Sequence, residues 1–275
     1  MPIIRYGERL NVMVAAKGHP YLRDPFMAMF DEMEGVSATL VEQPAAALLM
    51  NPEGMAAFDA LVLYDMPGID FRAADGPSFV APSQALQEGF AKLLQTGKGI
   101  VALHHAIAGW PAWPAYADFL GGCFLYQPGL VRGAACADSG YRHDVTHTVS
   151  AVDPTHPVLA GVPATFALTD ELYLFEVFAD DVTPLLRSDH AFTRDGFYSA
   201  ALAVAGKMFS NDGWAHKDGS NLVGWAKRAG ASPLVYLQPG DGPDTYADPN
   251  YRRLIANAIA WVASAEAHAW ALRQP

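Results

Sequence analysis

Two consecutive histidines, His104 and His105, follow an apolar run in the segment GKGIVALHHAIAGW, residues 97–110. Hydrolases that present a nucleophile on a tight turn after a strand need small residues two positions before and after it. Ala102 and Ala106 meet that requirement around His104, where neither Ser nor Cys stands. An imidazole near neutral pH can transfer a proton, bind a metal or, less often, form a covalent intermediate. We therefore expect a catalytic role for His104.

Two further polar residues, His19 and Asp241, also follow apolar runs. In an open α/β sheet, parallel strands joined by right-handed crossovers place their carboxyl ends at one edge, where ligands bind. We expect His19, His104 and Asp241 to line one pocket and to share the catalytic work. The carboxylate could raise the basicity of an imidazole there, or all three could bind a cation. The alternative for His19 is a loop residue that caps a helix or bonds backbone.

Three more residues, His105, Asp65 and Trp214, are candidates for binding the substrate. Side chains alternate along a strand, so His105 shares the pocket of His104 only if the turn redirects one ring. The alternative is that His105 is a buried histidine that is hydrogen-bonded to a backbone carbonyl. Asp65 ends an apolar run, but an Asp before Pro-Gly is also an ordinary turn former. Trp214 could cover a sugar face or simply pack within its loop.

The possible metal ligands and the cysteines show no local motif. Histidines and carboxylates from several strand ends could hold one zinc or manganese ion, although no HxH or HExxH spacing supports a metal. Cys123 and Cys136 form no CxxC pair. They stand beside Gly-Gly and Ala-Ala, so we expect both to be structural and neither to be catalytic.

The elements that must position these residues alternate between strands and helices through residue 105. Strands are predicted by the apolar runs RLNVMVAAKGHP, VSATLVEQ and FDALVLYDMPG, and helices by the spacing in DPFMAMFDEME and SQALQEGFAKLLQTG. Several strands are apolar on both faces. We therefore expect a three-layer α/β fold in which helices cover both faces of a mainly parallel sheet.

The second half of the chain is rich in turn residues. Residues 109–150 are expected to form a long structured loop with a short helix over 116–120. Strand-like runs follow at HTVSAV, VTPLLRS, NLVGWAK and PLVYLQP, and a final helix begins at Pro249 after the N-cap Asp248. No internal repeat or linker divides the chain, so we expect a single domain over residues 1–275.

The composition excludes some classes of partner. The 275 residues are 51% hydrophobic, enough to build a sizeable core. With 18 Lys and Arg against 29 Asp and Glu, the net charge is −11, so binding to nucleic acid or anionic lipid is not expected. No stretch approaches the roughly 18 apolar residues of a spanning helix, and residues 1–20 lack the charged-then-apolar-then-small order that is typical of a secretory signal. We expect a cytoplasmic protein with a small neutral ligand; a homo-oligomer stays open.

Four segments resemble the ThuA-like (trehalose utilization) family: GKGIVALHHA, FLGGCFLYQP, VDPTHPVLAGVPATFALTDELY and VGWAKRAGASPLVYLQPGDGPDTYADPNYRRLIANAIAWVA. The resemblance implies the flavodoxin-like fold of the class I glutamine amidotransferases, with His104 where those enzymes have their cysteine. His19 matches a position that is often histidine in the family. Glu171 becomes a further candidate for substrate binding because its flanking motif, TDELY, matches. Asp241 departs from the family, which commonly has Gly-His there.

The resemblance also implies a role in the uptake and oxidation of disaccharides and in 3-keto-sugar metabolism. Together with the histidines, it leads us to expect an enzyme that acts on a sugar or 3-keto-sugar derivative by His-mediated proton transfer. The reaction would be an isomerisation, an elimination or a hydrolysis. The alternative is a non-catalytic sugar-binding or accessory subunit that has kept the fold. A thiol amidotransferase is disfavoured because the turn carries no cysteine.

Overall fold

The computed structural model describes residues 7–74 and 76–273. Its strands are β1 (Leu10–Lys17), β2 (Val36–Glu42), β3 (Ala60–Asp65), β4 (Ile69–Asp70), β5 (Ser78–Phe79), β6 (Gly99–Leu103), β7 (Gly122–Cys123), β8 (Gly129–Val131), β9 (Ala134–Cys136), β10 (Gly140–Ala151), β11 (Thr165–Leu174), β12 (Glu176–Val177), β13 (Thr183–Ser188), β14 (Tyr198–Ser199), β15 (Leu222–Ala229) and β16 (Ser232–Leu237). Its α-helices are α1 (Arg23–Asp31), α2 (Ala45–Leu49), α3 (Gln84–Gln95), α4 (Pro114–Leu120), α5 (Ala200–Val204), α6 (Pro243–Ala247), α7 (Pro249–Val262) and α8 (Ala265–Leu272).

One large mixed sheet organises these elements. Its strand order is β11-β10-β13-β15-β16-β6-β3-β1-β2, with β14 also paired to β10. The strands from β16 to β2 are parallel neighbours, whereas β11, β10, β13 and β15 extend the sheet in antiparallel fashion. This arrangement confirms the α/β prediction, including the parallel strands expected through residue 105.

The central strands are buried on both faces because they supply two cores. Along β1, Val12, Val14 and Ala16 pack in the core that includes α1 and α7. The alternate residues Met13 and Ala15 pack in the opposite core, with α3. Parallel strands covered by helices on both sides read as continuous apolar runs for this reason.

The C-terminal helix begins where its cap predicts. The Asp248 carboxylate accepts hydrogen bonds from the backbone N–H groups of Asn250 (2.8 Å) and Tyr251 (2.9 Å), and Pro249 occupies the first turn. These contacts satisfy N–H groups that lack partners at a helix start. The predicted helix is confirmed, although it ends at Val262 and the short helix α8 follows.

Two strands differ from the sequence-based expectation. The predicted loop over 109–150 is wrong from residue 140 onward, because β10 begins there. The run HTVSAV, predicted as a strand, lies at the end of β10, whereas β11 was not anticipated. In β10, Val145, His147 and Val149 are buried in alternation with more exposed neighbours, as expected for a strand with one covered face. The two strands pair in antiparallel fashion.

Strands from both halves of the chain share the large sheet, since β6 pairs with β16. The single domain over residues 1–275 stays a prediction, which this pairing supports. Within residues 7–74 and 76–273, every helix is too short or too polar to cross a membrane.

Candidate functional site

His104 occupies a strained turn at the end of β6. The strand gives way to a 3-10 helix over His104–Ala108, and the backbone φ of His104 is +46°. A left-handed conformation at a residue other than glycine costs on the order of 1–3 kcal/mol and occurs preferentially at functional sites. Ala102 and Ala106 are completely buried beside the turn. The expected tight turn is therefore present, with His104 in the presenting position.

The two ring nitrogens of His104 have different partners. The Nδ1–H group donates to the carbonyl oxygen of Gln238 at 2.7 Å; since a carbonyl only accepts, this nitrogen carries the proton. The Nε2 atom lies 3.1 Å from Glu171 Oε2, 2.9 Å from the Tyr173 hydroxyl and 3.5 Å from Asp241 Oδ1. Nε2 therefore faces two carboxyl groups at once.

These carboxyl groups favour the charged imidazole. Burial lowers the pKa of His104, but the hydrogen bonds to Asp241 and Glu171 outweigh that effect and raise the pKa to about 10. His104 is then an imidazolium at neutral pH. Burial in turn raises the pKa of Asp241, but the hydrogen bond and charge of His104 more than compensate and leave it below its usual value.

His19 is held at the end of β1 by a glycine. Gly18 has a φ of +105°, and a Cβ atom there would lie only 2.2 Å from the carbonyl oxygen of Met66. Burial, followed by the charge of His104, lowers the pKa of His19, so this imidazole is neutral at neutral pH. Among the described residues, its Nδ1 atom has no hydrogen-bond partner.

Asp170 and Gly240 bring the carboxyl groups to His104. The Asp170 carboxylate accepts backbone N–H groups from Glu171 (2.9 Å), Gly240 (2.6 Å) and Asp241 (3.1 Å), which ties β11 to the loop after β16. Gly240 has a φ of +136°, and a Cβ atom there would lie 2.3 Å from the hydroxyl of Tyr251. Only glycine fits this approach, which directs Asp241 toward the site.

A cavity of about 350 Å³ opens beside these groups. Its polar end is formed by His19, His143, Glu171 and Tyr173. His104 is fully buried and lies behind this wall, and it contacts the cavity through Glu171 and Tyr173. A ligand at this end therefore meets His19, His143, Glu171 and Tyr173, and it does not contact His104 directly.

Three residues of the site are placed to bind a metal ion. His19, Glu171 and Asp241 each offer one ligand atom, and these atoms all lie within 4.8 Å of one another. A nitrogen with two carboxylate oxygens is a donor set that zinc or manganese accepts. A zinc or manganese ion stays a prediction; these three atoms are the ones that would hold it, with Glu171 in the place that the sequence gave to His104.

Of the sequence-predicted residues, the structure brings together His19, His104, Glu171 and Asp241, but of the three expected to line one pocket only His19 belongs to the cavity lining. His105 adjoins them from behind the cavity wall. Its ring is fully buried, its Nε2–H group donates to the carbonyl of Tyr64 at 2.9 Å, and it stacks on His19 with ring centroids 4.5 Å apart. His105 therefore supports His19 and does not line the cavity.

Asp65 and Trp214 lie away from the cavity. The buried Asp65 carboxyl accepts a hydrogen bond from Gln43 Nε2 at 2.6 Å, and burial raises its pKa to about 6. The buried indole N–H of Trp214 donates to the carbonyl of Asp138 at 3.2 Å. Trp214 therefore packs within the protein, as its alternative interpretation expected, and Asp65 belongs to the lining of a separate small pocket.

Both cysteines are also outside the cavity lining. Cys123 and Cys136 are free thiols on β7 and β9. Burial raises the pKa of Cys123 to about 11, which keeps it in the thiol form at neutral pH. The expectation that neither thiol is catalytic stays a prediction.

Sequence reasoning missed two residues of the polar end. His143 lies at a bulge in β10, where the register with β11 shifts between Arg142 and Val145, and its Nδ1 atom is 3.4 Å from Glu171 Oε1. Tyr173 stacks on His104 with ring centroids 4.7 Å apart. Tyr173 follows Glu171 by two positions, so strand alternation could have found it. A bulge carries no comparable signal.

Comparison with known proteins assigns this chain to a family. The family model ThuA, described as trehalose utilisation, matches residues 12–262. A putative ThuA-like protein from Parabacteroides merdae superposes with a TM-score of 0.65 at 12% identity, over 93% of this chain and 90% of that chain. One from Bacteroides uniformis gives a TM-score of 0.60 at 18% identity, over 94% of each chain. No curated protein has a matching sequence.

The same fold extends beyond ThuA-like proteins. PurLQS from Thermotoga maritima superposes with a TM-score of 0.51 at 12% identity, over 92% of this chain and 99% of that chain. At such low identity the likeness concerns the fold alone, which is the amidotransferase-like α/β fold. The family match covers nearly the whole chain and indicates a role in sugar metabolism. This chain belongs to the ThuA, or trehalose utilisation, family.

Proposed function

We propose that this protein is an enzyme that removes a proton from the carbon beside the carbonyl group of a 3-keto-sugar derivative. The observation that carries the proposal is that Glu171 and the neutral His19 meet at the polar end of one cavity. A carboxylate base beside an imidazole with a lowered pKa suits proton transfer next to a carbonyl. Family membership supports a sugar derivative as the substrate.

The proposed step moves one proton and one electron pair. A carboxylate oxygen of Glu171 takes the proton, and the electron pair of the C–H bond forms the enolate. His19 donates an N–H hydrogen bond to the carbonyl oxygen as that oxygen gains negative charge. If the hydroxyl proton of the deprotonated carbon moves to the enolate oxygen and Glu171 returns its proton to the former carbonyl carbon, the carbonyl group is transferred to the deprotonated carbon and an isomerisation is complete. Departure of the substituent from the carbon on the other side of the deprotonated carbon, as an alcohol that carries away the proton taken by Glu171, would complete an elimination. Addition of water to the new double bond would then complete a hydrolysis.

His104 acts through Glu171 in this proposal. Its imidazolium lies 3.1 Å from Glu171 Oε2 and is fully buried, so it orients the carboxylate without touching the substrate. This differs from the direct acid or base role expected from the sequence. The hydrogen bond between Asp241 and the His104 imidazolium helps to keep that imidazole protonated.

The experiment is a turnover assay with 3-keto-glycosides on the wild type and Glu171→Gln. We expect Glu171→Gln to lower kcat by about 10²- to 10⁴-fold, the usual contribution of a general base. His216→Gln, in an exposed loop, is the matched control and should keep wild-type activity. Tight sugar binding by the wild type without turnover would instead identify the non-catalytic sugar-binding subunit.

A metal-assisted form of the same reaction is the second candidate function. It is favoured by the specific cluster of His19, Glu171 and Asp241. A bound zinc or manganese ion would polarise the carbonyl oxygen. Metal analysis of the purified protein, with activity measured before and after chelation, decides between the two forms. Loss of activity on chelation and its return with the ion would identify the metal-assisted form.

The remaining expectations concern partners and location. The net charge of −11 supports a neutral sugar ligand over nucleic acid. A cytoplasmic location stays a prediction from the sequence. A homo-oligomer likewise stays open and can be tested by light scattering of the purified protein.

A further inference from the structure

The cavity has two chemically different ends. Its polar end carries the proposed reaction. The remaining walls are largely apolar and come from separate parts of the chain, and they include Met66, Phe71, Phe124, Ala200, Val204 and Met208. A ligand that fills the cavity therefore meets polar groups at one end and hydrocarbon along most of its length.

Two tyrosines of the cavity lining, Tyr126 and Tyr141, contribute mainly the apolar surface of their rings. The Tyr126 hydroxyl donates to the carbonyl of Ala108 at 3.2 Å. The Tyr141 hydroxyl accepts the backbone N–H of Phe209 at 2.9 Å. Because both hydroxyls already have partners within the protein, they offer less to a ligand than their number suggests.

Two apolar side chains at the cavity are unusually exposed. Phe71 is 47% exposed and Met208 is 51% exposed, and they belong to different loops that meet at the cavity. Water contact with such side chains is unfavourable, and an apolar group placed against them would remove both surfaces from water. Binding of an apolar group against this wall is therefore favourable.

A disaccharide fits this wall poorly. Nearly every carbon of its second sugar carries a hydroxyl, and each hydroxyl that is buried without a hydrogen bond opposes binding. The polar groups at the reactive end can serve one sugar ring. A cavity of about 350 Å³ is at the small end of the range for ligand sites, which suits one sugar ring with a compact substituent.

We propose that the substrate is a single keto-sugar ring that carries an apolar aglycone, such as an aryl group. The sugar lies at His19 and Glu171, and the aglycone lies against Phe71 and Met208. This inference rests on the proposed function for the place of the sugar, and it names the substrate class of the same site. The aryl ring replaces water on the apolar wall, where aromatic and thioether side chains pack well against it.

The test compares the 3-keto forms of phenyl glucoside, methyl glucoside and trehalose as substrates of the full chain. We expect kcat/KM for the phenyl compound to exceed that of the other two by at least about tenfold, as apolar pockets discriminate on this scale. Phe71→Ser and Met208→Ser should each lower kcat/KM several-fold more for the phenyl compound than for the methyl compound. Leu48→Ser, at an exposed leucine outside the cavity lining, is the control.

A second measurement separates failure of the inference from failure of the proposed function. Calorimetric binding of the unoxidised phenyl glucoside, methyl glucoside and trehalose needs no turnover. Selective binding of the phenyl compound that weakens in Phe71→Ser supports the apolar aglycone site even if no keto-glycoside reacts. Turnover with equal or better use of 3-keto-trehalose overturns the inference and leaves the proposed function intact. If the protein shows neither turnover nor selective binding, both the inference and the proposed function are overturned.

Discussion

The Nε2 atom of His104 lies 3.1 Å from Oε2 of Glu171, although the two residues are 67 positions apart in the chain. His104 stands on the strained turn after β6, and Glu171 stands on β11 at the cavity wall. Both side chains are almost completely buried. In hydrolases such a turn presents a nucleophile. Here the turn holds the His104 imidazolium behind the Glu171 carboxylate. In the proposed function, Glu171 and His19 therefore contact the substrate, and His104 acts from behind Glu171.

His19→Gln tests the role of the neutral imidazole. Glutamine can still donate a hydrogen bond, but it cannot place an N–H group as the ring does. We expect kcat to fall by about 10²- to 10³-fold, as for loss of a donor to a developing oxyanion, with a smaller change in KM. Steady-state kinetics on a 3-keto-glycoside measures the split. A rise in KM at constant kcat would mean that His19 only binds the substrate.

His104→Gln tests the buried charge through the pH dependence of stability. The pKa of His104 is raised to about 10 in the folded protein and is near 6.5 in the unfolded chain. Its contribution is thus complete below about pH 6.5 and is lost as the pH rises through 10. The wild type should exceed His104→Gln in unfolding free energy most at pH 6 and least near pH 10.5. Urea titrations at each pH measure this difference, and a constant gap would contradict the assigned charge.

Asp241→Asn tests how much Asp241, as distinct from Glu171, raises the pKa of His104. Removing this negative charge should lower the pKa of His104, because the imidazolium loses a hydrogen-bond partner. NMR titration of the ¹⁵N-labelled imidazoles measures the change directly. Asp212→Asn, at an exposed carboxylate, is the control and should leave the titration unchanged. An unaltered His104 titration in Asp241→Asn would assign the raised pKa to Glu171 and Asp170.

Gly240→Ala tests the close approach that directs Asp241. A methyl group at this position meets the Tyr251 hydroxyl at 2.3 Å in a left-handed backbone conformation. We expect a loss of about 1–3 kcal/mol in unfolding free energy, measured by urea titration, together with reduced activity. Gly242→Ala is the matched control, since nothing lies within 4 Å of a Cβ atom there. Equal effects of both substitutions would remove the positioning role of Gly240.

The parallel half of the fold could be predicted from the sequence because its strands are buried on both faces. Val12 to Ala16 form one uninterrupted apolar run for that reason. β11 escaped prediction because its alternating pattern, in TFALTDELYL, includes the buried polar residues Asp170 and Glu171. An apolar pattern cannot reveal a strand that buries carboxyl groups for a site.

The candidate site shows the same division. His19, His104 and Asp241 follow strands at one edge of the sheet, so topology alone brought them together. Glu171 came only from the family resemblance, since its strand was unrecognised. Asp65 was grouped with them because it also ends a strand, but it lines another pocket and accepts a hydrogen bond from Gln43. The direction of a side chain at a strand end depends on local turns that sequence does not specify.

The most direct test of the central claim is proton exchange at the carbon beside the carbonyl, followed by NMR in D₂O with methyl 3-keto-glucoside. The claim is that Glu171 removes this proton. Exchange needs only that first step, so it does not depend on which product forms. We predict that the wild type and His216→Gln exchange the proton for deuterium much faster than the solution without protein, and that Glu171→Gln does not. No catalysed exchange by the wild type, or undiminished exchange in Glu171→Gln, would contradict the account.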